Sequence, residues 1–127
     1  MGRAFLSVPA VVVLVSSLGG SWGLAQGDYR KGLSYFKQGQ YRQAIGEFEQ
    51  LVKEYPNYES GHRILGLSYL HLKQYERAIS ELRAALRLKQ DAVETYLGLA
   101  QAYYNSQRFQ EVVPTLNQAG SHAKSPR

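Results

Sequence analysis

The sequence predicts an all-α fold, a helical solenoid of three antiparallel helix pairs, and two regularities support this prediction. Tyr35, Tyr69 and Tyr103 are 34 residues apart, and many other positions match in kind at the same offset. Small residues also recur among apolar ones at helical spacing. A self-similar unit of this length is typical of stacked helical repeats, in which each unit buries its apolar face only against a neighbour. The matching small residues are Gly32, Gly66 and Ala100 in the first half of each unit, with Ala44 and Ala78 in the second half.

Six helices are predicted, over residues 26–38, 41–54, 59–72, 75–89, 93–106 and 109–119. Gly39 and Gln40 separate the first two helices. The Tyr-Pro-Asn segment 55–57 ends the first unit, because a proline disfavours helical backbone in the residue before it. These breaks divide the first part of the chain into helix pairs.

The later helices are predicted from capping and proline signals. Asp91 followed by Glu94 is a capping-box pattern, which is expected to begin the fifth helix. Pro114 falls inside the predicted sixth helix, where it removes a backbone donor and is expected to kink or loosen the segment.

Glycine is unfavourable inside a helix by roughly 1 kcal/mol relative to alanine, so Gly32 and Gly66 require a compensating contact. Helices approach closely only where the side chains at their crossing are small. We therefore expect Gly32 and Gly66 to lie against Ala44 and Ala78 of the partner helices.

The repeating unit closely resembles the tetratricopeptide repeat. In the first unit, five of the eight consensus positions of that family are occupied, by Gly32, Tyr35, Ala44, Phe48 and Pro56. The second unit supplies Leu65, Gly66, Tyr69, Ala78 and Ala85, and the third supplies Tyr96, Leu99, Tyr103 and Ala119. Val112 stands where the family has a small residue. The resemblance implies a right-handed solenoid of three units, at about 25–58, 59–92 and 93–119.

The amino-terminal region predicts export. No charged residue lies between Ala4 and Gly27, and Arg3 precedes an apolar run. With small residues at Gly23 and Ala25, this pattern indicates a signal peptide over residues 1–25. An uncleaved membrane anchor is the alternative, since the uncharged span is long enough to cross a bilayer of ~30 Å. The expected location is the bacterial periplasm or the extracellular space, or, with the anchor, the membrane.

The carboxyl-terminal end departs from the repeat pattern. Leu86 and Leu88 end the second unit, whereas Gly120 and His122 stand at those places in the third. The third unit is therefore expected to end the stack, with residues 120–127 as a disordered polar tail. Its uncovered helix pair is available to a partner subunit.

The sequence offers no constellation of residues typical of an enzyme. The three histidines, His62, His71 and His122, are nine or more residues apart, so none forms the i, i+4 pair of a helical metal site. The chain has no cysteine, no phosphate-binding loop and no nucleophile elbow. We predict a non-enzymatic protein without catalytic residues, metal or cofactor.

The charge balance also argues against a nucleic-acid partner. The formal net charge is +5, and the basic residues of the fourth helix are interrupted by Glu76 and Glu81. Nucleic-acid binding requires a basic stripe with stacking aromatics on the same face, and the tyrosines here fall on core positions.

The resemblance implies a concave groove lined by the first helix of each unit. Mapped onto this chain, the groove combines apolar positions with donors that would suit a peptide carrying apolar anchors and an acidic group. Phe36, Leu70 and Tyr104 have the alternative of packing between adjacent first helices. The candidate groove residues are Tyr29, Leu33, Lys37, Arg63, Leu67, His71, Leu97, Gln101, Tyr104 and Asn105.

One activity found in the resembled family is excluded by the residues present. Members that clamp the acidic carboxyl terminus of heat-shock proteins use Lys, Arg and Asn at five groove positions. Those positions are occupied here by Tyr29, Leu33, Ile64, Glu94 and Gly98. None matches.

Two functions remain open from the sequence. The first is an exported interaction module that binds a peptide or protein on its concave face. The alternative is a structural or oligomerisation element of an envelope assembly, docking through the third unit and able to form a homo-oligomer. Contact with a membrane is expected only if the amino-terminal segment is not cleaved.

Overall fold

The computed structural model describes residues 29–123, and every regular element within that range is helical. Helix α1 covers residues 29–37 of the described part. A 3₁₀ turn at Phe109–Glu111 precedes the last helix. No helix within 29–123 has both the length and the apolar character needed to cross a membrane. The other helices are α2 (Tyr41–Glu54), α3 (Glu59–His71), α4 (Tyr75–Leu88), α5 (Val93–Asn105) and α6 (Val112–Ala123).

Each of these helices packs against the next one along the chain, and α3 also contacts α5. One continuous apolar core joins them, from Ala44 and Phe48 of α2 to Leu99 and Tyr103 of α5. Tyr69, in the middle of this core, is buried. The predicted all-α solenoid is confirmed, and α2 to α5 begin at the predicted residues and end at or within one residue of them.

The turns inside the helix pairs share one backbone conformation. Gly39, Lys73 and Gln107 are 34 residues apart and all have positive φ, at 77°, 62° and 65°. One residue later, a backbone N–H donates to the carbonyl of the repeating tyrosine, as in Gln74 to Tyr69 at 2.9 Å. This is the left-handed end of a helix, a conformation that glycine adopts most readily. The sequence indicated a break only at Gly39.

The helical glycines lie against large side chains rather than against the expected alanines. A Cβ added at Gly32 would come within 2.7 Å of Phe48 Cε2, and one added at Gly66 within 2.7 Å of Leu82 Cγ. The atoms nearest to the two glycines therefore belong to Phe48, Glu47 and Leu82 and not to Ala44 or Ala78. The repeat pattern correctly locates the small residues Gly32 and Gly66. The space beside them is filled by Phe48 and Leu82, which lie one turn beyond Ala44 and Ala78 on the partner helices.

The capping-box prediction at the start of α5 is also wrong. The residue that caps the helix is Ala92, and no side chain forms a capping hydrogen bond there. Asp91 lies one position too early to cap, because α5 begins at Val93.

The sixth helix differs from its prediction at both ends. It begins at Val112 rather than at residue 109, so Pro114 lies in the first turn, where a missing N–H breaks no helical hydrogen bond. It ends at Ala123 rather than at residue 119, so residues 120–123 are helical and do not belong to the expected tail. The remainder of that tail, residues 124–127, and the predicted signal segment 1–25 lie outside the described residues.

Candidate functional site

The first helix of each pair contributes to one face of the stack, and the ten candidate residues lie on these helices. Adjacent first helices are in contact, since the Phe36 ring of α1 meets the His71 ring of α3 with centroids 5.9 Å apart. Between α3 and α5, a Cβ on Gly98 would lie 2.9 Å from Leu67 Cδ2. Leu67 therefore fills the seam between the two helices, and only part of it faces solvent.

Packing also occupies the candidates of α1. Tyr29 meets Phe48 edge to face, with centroids 5.9 Å apart, and lies 5.6 Å from Tyr58. Leu33 is half-buried and belongs to the shell around the core. Lys37, at the end of the helix, is exposed and makes no ion pair with any residue in 29–123.

The α3 candidates with polar groups are held by neighbours in the fold. Arg63 Nε donates to Glu59 Oε2 at 3.2 Å, with both side chains about three-quarters buried or more. His71 stacks flat on Tyr41 of α2, with centroids 4.2 Å apart and an interplanar angle of 1°. Arg63 therefore presents an already paired guanidinium, whereas His71 is exposed at the end of α3.

The α5 candidates are the most accessible. Leu97 is 51% exposed and Tyr104 is 61% exposed, and Gln101 and Asn105 between and beside them are also exposed. Tyr104 contacts Phe109 edge to face at 5.4 Å and does not pack between first helices. Leu70, by contrast, is buried in the core. The face thus combines a packed part on α1 and α3 with an open apolar part on α5.

A second exposed apolar surface lies on α6 and the turn before it. Phe109 and Val113 are more than half exposed, and Leu116 is 42% exposed, although its counterpart in α4, Leu82, is fully buried. Leu82 is covered because α5 packs over it, with Gly98 as the contact. We call Phe109, Val113 and Leu116 the end face. Their spacing of four and three residues places them on one side of the helical segment.

Within residues 29–123, no group of three His, Cys, Asp or Glu side chains is arranged to hold a metal ion. His62 is partly buried, and its ring lies between two oxygen acceptors: Nδ1 is 2.7 Å from Glu81 Oε1 and Nε2 is 2.7 Å from the Pro56 carbonyl oxygen. This contact joins α3 to α4. The residues are 19 positions apart, so no local pattern could have indicated it.

Two tyrosines of the core, Tyr69 and Tyr103, have raised pKa values. Burial, followed by the hydrogen bond to Glu49 and the charge of that carboxylate, raises the pKa of Tyr69 to about 12. Burial is also the main cause that raises the pKa of Tyr103. These hydroxyls keep their protons at neutral pH, and their hydrogen-bonding partners link helices.

Comparison with known proteins agrees with this architecture. A family model described as Tetratricopeptide repeat matches residues 29–93, and a second model of the same description matches residues 69–127. Comparison of the sequence with curated proteins found no match.

Several solved structures share the fold at low sequence identity. A mutant of MamA is 20% identical with a TM-score of 0.77, over 80% of this chain and 74% of that chain. The TPR2B domain of yeast Sti1 in complex with pHsp70 is 19% identical with a TM-score of 0.74, over 78% and 79%. The first TPR of Spaghetti bound to an HSP90 peptide is 22% identical with a TM-score of 0.74, over 80% and 81%.

Proposed function

Because the chain belongs to the tetratricopeptide repeat family, we propose that it is an exported, non-enzymatic module that binds a peptide or protein on the face formed by α1, α3 and α5. The fold is typical of protein–protein interaction modules. The observation that carries the proposal is the open apolar part of that face, where Leu97 and Tyr104 are each more than half exposed.

The exposed polar groups around this surface define the partner. Lys37 at the end of α1 is unpaired within the described range, and His71 at the end of α3 is exposed. Burial of apolar surface at Leu97 and Tyr104 would supply the affinity, and the positive charge of Lys37 would fix the direction of the bound peptide. A peptide with apolar anchors and an acidic group fits this arrangement.

The five clamp positions argue against a heat-shock-protein carboxyl terminus as the ligand. The two neighbours with such partners are similar in fold, but Leu33 and Gly98 offer no side-chain donor where a carboxylate clamp requires one. We therefore propose a partner recognised mainly through apolar anchors.

Site-specific photocrosslinking in the full chain tests the binding face. A photoreactive residue is placed at Leu97 or Tyr104, with Arg87 on the outer side of α4 as the exposed control. Adducts of one defined mass are expected at positions 97 and 104 and not at 87. Equal adducts at all three positions would show that the partner does not bind specifically on this face. Arg63 and Leu67 are less suitable, because their substitution also disturbs packing.

The uncharged amino-terminal run supports export. Mass spectrometry of the protein recovered from the producing cell is expected to show a chain that begins at Gln26. Recovery of the intact amino terminus in a membrane fraction would favour the anchor.

A second function, oligomerisation through the third helix pair, is favoured by the end face. Helix α6 carries no Asp, Glu, Lys or Arg, so a second copy of the same helix would meet no like charge. At the positions of α1 that correspond to the buried Ile64 and Ser68 of α3, Arg30 and Ser34 are polar and exposed. The contact that fits is therefore between two end faces, an isologous dimer, rather than a head-to-tail array.

Light scattering after size-exclusion chromatography tests this second function. The fraction of dimer in the wild-type protein is expected to rise with protein concentration. The double change Val113→Asp with Leu116→Ser is expected to abolish this rise. Leu97→Asp is the control on the other surface, because Tyr104 contacts Phe109 of the end face. A strict monomer at all concentrations would exclude self-association.

A further inference from the structure

A concavity of about 620 Å³ lies beside the connection between α2 and α3, away from the end face. Its size falls within the range of small-molecule sites. The walls are mainly aromatic and apolar, with a single carboxylate and no lysine or arginine. The lining residues are Tyr29, Leu51, Glu54, Tyr55, Pro56, Asn57 and Tyr58.

The three tyrosines of this lining do not recur in the second unit. At the equivalent places one unit later, Arg63 replaces Tyr29, Lys89 replaces Tyr55 and Ala92 replaces Tyr58. Ala92 is buried there, so a small residue suffices at that position. The three tyrosines are therefore a local property of this end of the stack.

Two of the rings are held in place before any ligand binds. Tyr29 packs edge to face on the fully buried Phe48 and meets Tyr58 at 5.6 Å with a tilt of 46°. Burial, followed by the neighbouring Tyr29 hydroxyl, raises the pKa of Tyr58. The third ring, Tyr55, is 46% exposed at the rim.

Within residues 29–123, the carboxylate of Glu54 forms no ion pair and no hydrogen bond with another group. The faces of aromatic rings attract cations, and a carboxylate beside them adds a full negative charge. Such a combination selects a cation whose surface is apolar.

We propose that this concavity binds a small quaternary ammonium compound, with its alkyl groups against Tyr29, Tyr55 and Tyr58 and its charge facing Glu54. A quaternary nitrogen has no N–H to satisfy, and its alkyl groups suit a wall that is mainly aromatic and apolar. The proposal is independent of the peptide-binding face, since its lining shares only Tyr29 with the candidate groove residues.

The test is an NMR titration of the full chain that follows the tyrosine ring resonances. Choline is the probe, and 3,3-dimethylbutan-1-ol is its uncharged counterpart of the same shape. Choline is expected to shift the resonances saturably, with the alcohol binding at least about five-fold more weakly.

Matched variants distinguish choline binding in the concavity from a general effect of removing a negative charge. Glu54→Gln is expected to weaken choline binding about three- to five-fold, and Tyr55→Ala, at an exposed rim position, is expected to weaken it without unfolding the chain. Glu94→Gln removes the same charge from an exposed site on α5 and is expected to change nothing. Equal binding of choline and the alcohol, equal effects of the two glutamate changes, or no saturable shift would overturn the proposal.

Discussion

The hydroxyl of Tyr69 in α3 donates a hydrogen bond to the carboxylate of Glu49 in α2, 20 residues earlier in the chain. The ring lies in the core while the oxygen reaches the carboxylate at the edge. The interaction thus links two helix pairs at the centre of the stack, and it gives Tyr69 a role that a phenylalanine could not fill.

Replacing this tyrosine by phenylalanine tests the link through its pH dependence. The pKa of Tyr69 is raised to about 12 in the folded chain, whereas an unfolded tyrosine titrates near pH 10. The stabilisation is therefore fully present below about pH 10 and is lost as the pH rises towards 12, because the unfolded chain releases the proton first. Tyr69→Phe should lower the free energy of unfolding by about 1 kcal/mol at neutral pH.

Guanidinium chloride unfolding, followed by circular dichroism, measures the effect at several pH values. The difference between the two proteins should shrink as the pH approaches about 12. Tyr58 and Tyr103 also have raised pKa values, but they are present in both proteins and cancel in the comparison. A difference that stays constant with pH would mean that the Tyr69 hydroxyl titrates normally.

The helices α2 to α5 could be predicted from the sequence because local signals and the repeat agree there. Gly39 and Pro56 interrupt the chain where the 34-residue period requires a turn. At α6 the local signals are misleading. The sixth helix is predicted to end before Gly120, yet His122 lies beyond that glycine in α6 and stacks on Tyr96, with centroids 5.5 Å apart. Such a tertiary contact outweighs the low helix propensity of one glycine.

The candidate binding face was only partly accessible to sequence reasoning. The repeat pattern shows which residues lie on the first helices. It does not show which other side chains contact them. His71 stacks on Tyr41, 30 positions away, and Leu67 covers Gly98 of the next pair. Since these contacts depend on how successive pairs stack, the exposure of Leu97 and Tyr104 could be established only from the three-dimensional structure.

Two glycine-to-alanine changes should have opposite effects on stability. In Gly66→Ala, the new Cβ would lie 2.7 Å from Leu82 Cγ and 3.1 Å from the Leu82 backbone nitrogen. The buried backbone cannot give way easily, so we expect a loss of about 1–3 kcal/mol. Gly46→Ala, in the exposed face of α2, meets nothing within 4 Å and should gain about 0.5–1 kcal/mol.

Chemical denaturation of the two variants decides whether packing or helix propensity dominates at each position. Gly46→Ala also serves as the control that the expected gain is measurable in this chain. A stabilising effect of Gly66→Ala would show that α3 and α4 can separate without cost, contrary to the tight contact at Leu82.

The turn between α3 and α4 should be stabilised by a glycine. Lys73 has φ of 62°, a left-handed conformation that costs an ordinary residue roughly 1 kcal/mol. Its side chain is exposed, so Lys73→Gly removes little packing. We expect a gain of about 0.5–1 kcal/mol in the free energy of unfolding.

The equivalent turn between α1 and α2 supplies the reverse experiment. Gly39 has φ of 77° and nothing within 4 Å of its added Cβ, so Gly39→Lys should lose a similar amount through backbone strain alone. Thermal melts of both variants measure the effect. A loss in Lys73→Gly would indicate that the lysine side chain contributes to the fold.

The bridge from His62 to Glu81 should carry a measurable coupling between α3 and α4. The ring nitrogens each lie 2.7 Å from an oxygen acceptor, Glu81 Oε1 on one side and the Pro56 carbonyl on the other. Glu81 keeps a quarter of its side chain exposed and His62 about an eighth, so the contact is partly shielded from water.

A double-mutant cycle of His62→Ala and Glu81→Ala should give a coupling free energy of about 1 kcal/mol. The loss in His62→Ala alone should exceed the coupling, because the bond to Pro56 is lost as well. A parallel cycle that pairs Glu81→Ala with His122→Ala, which contacts Tyr96 instead, should be additive. If the first cycle is additive too, the two side chains are adjacent without stabilising the stack.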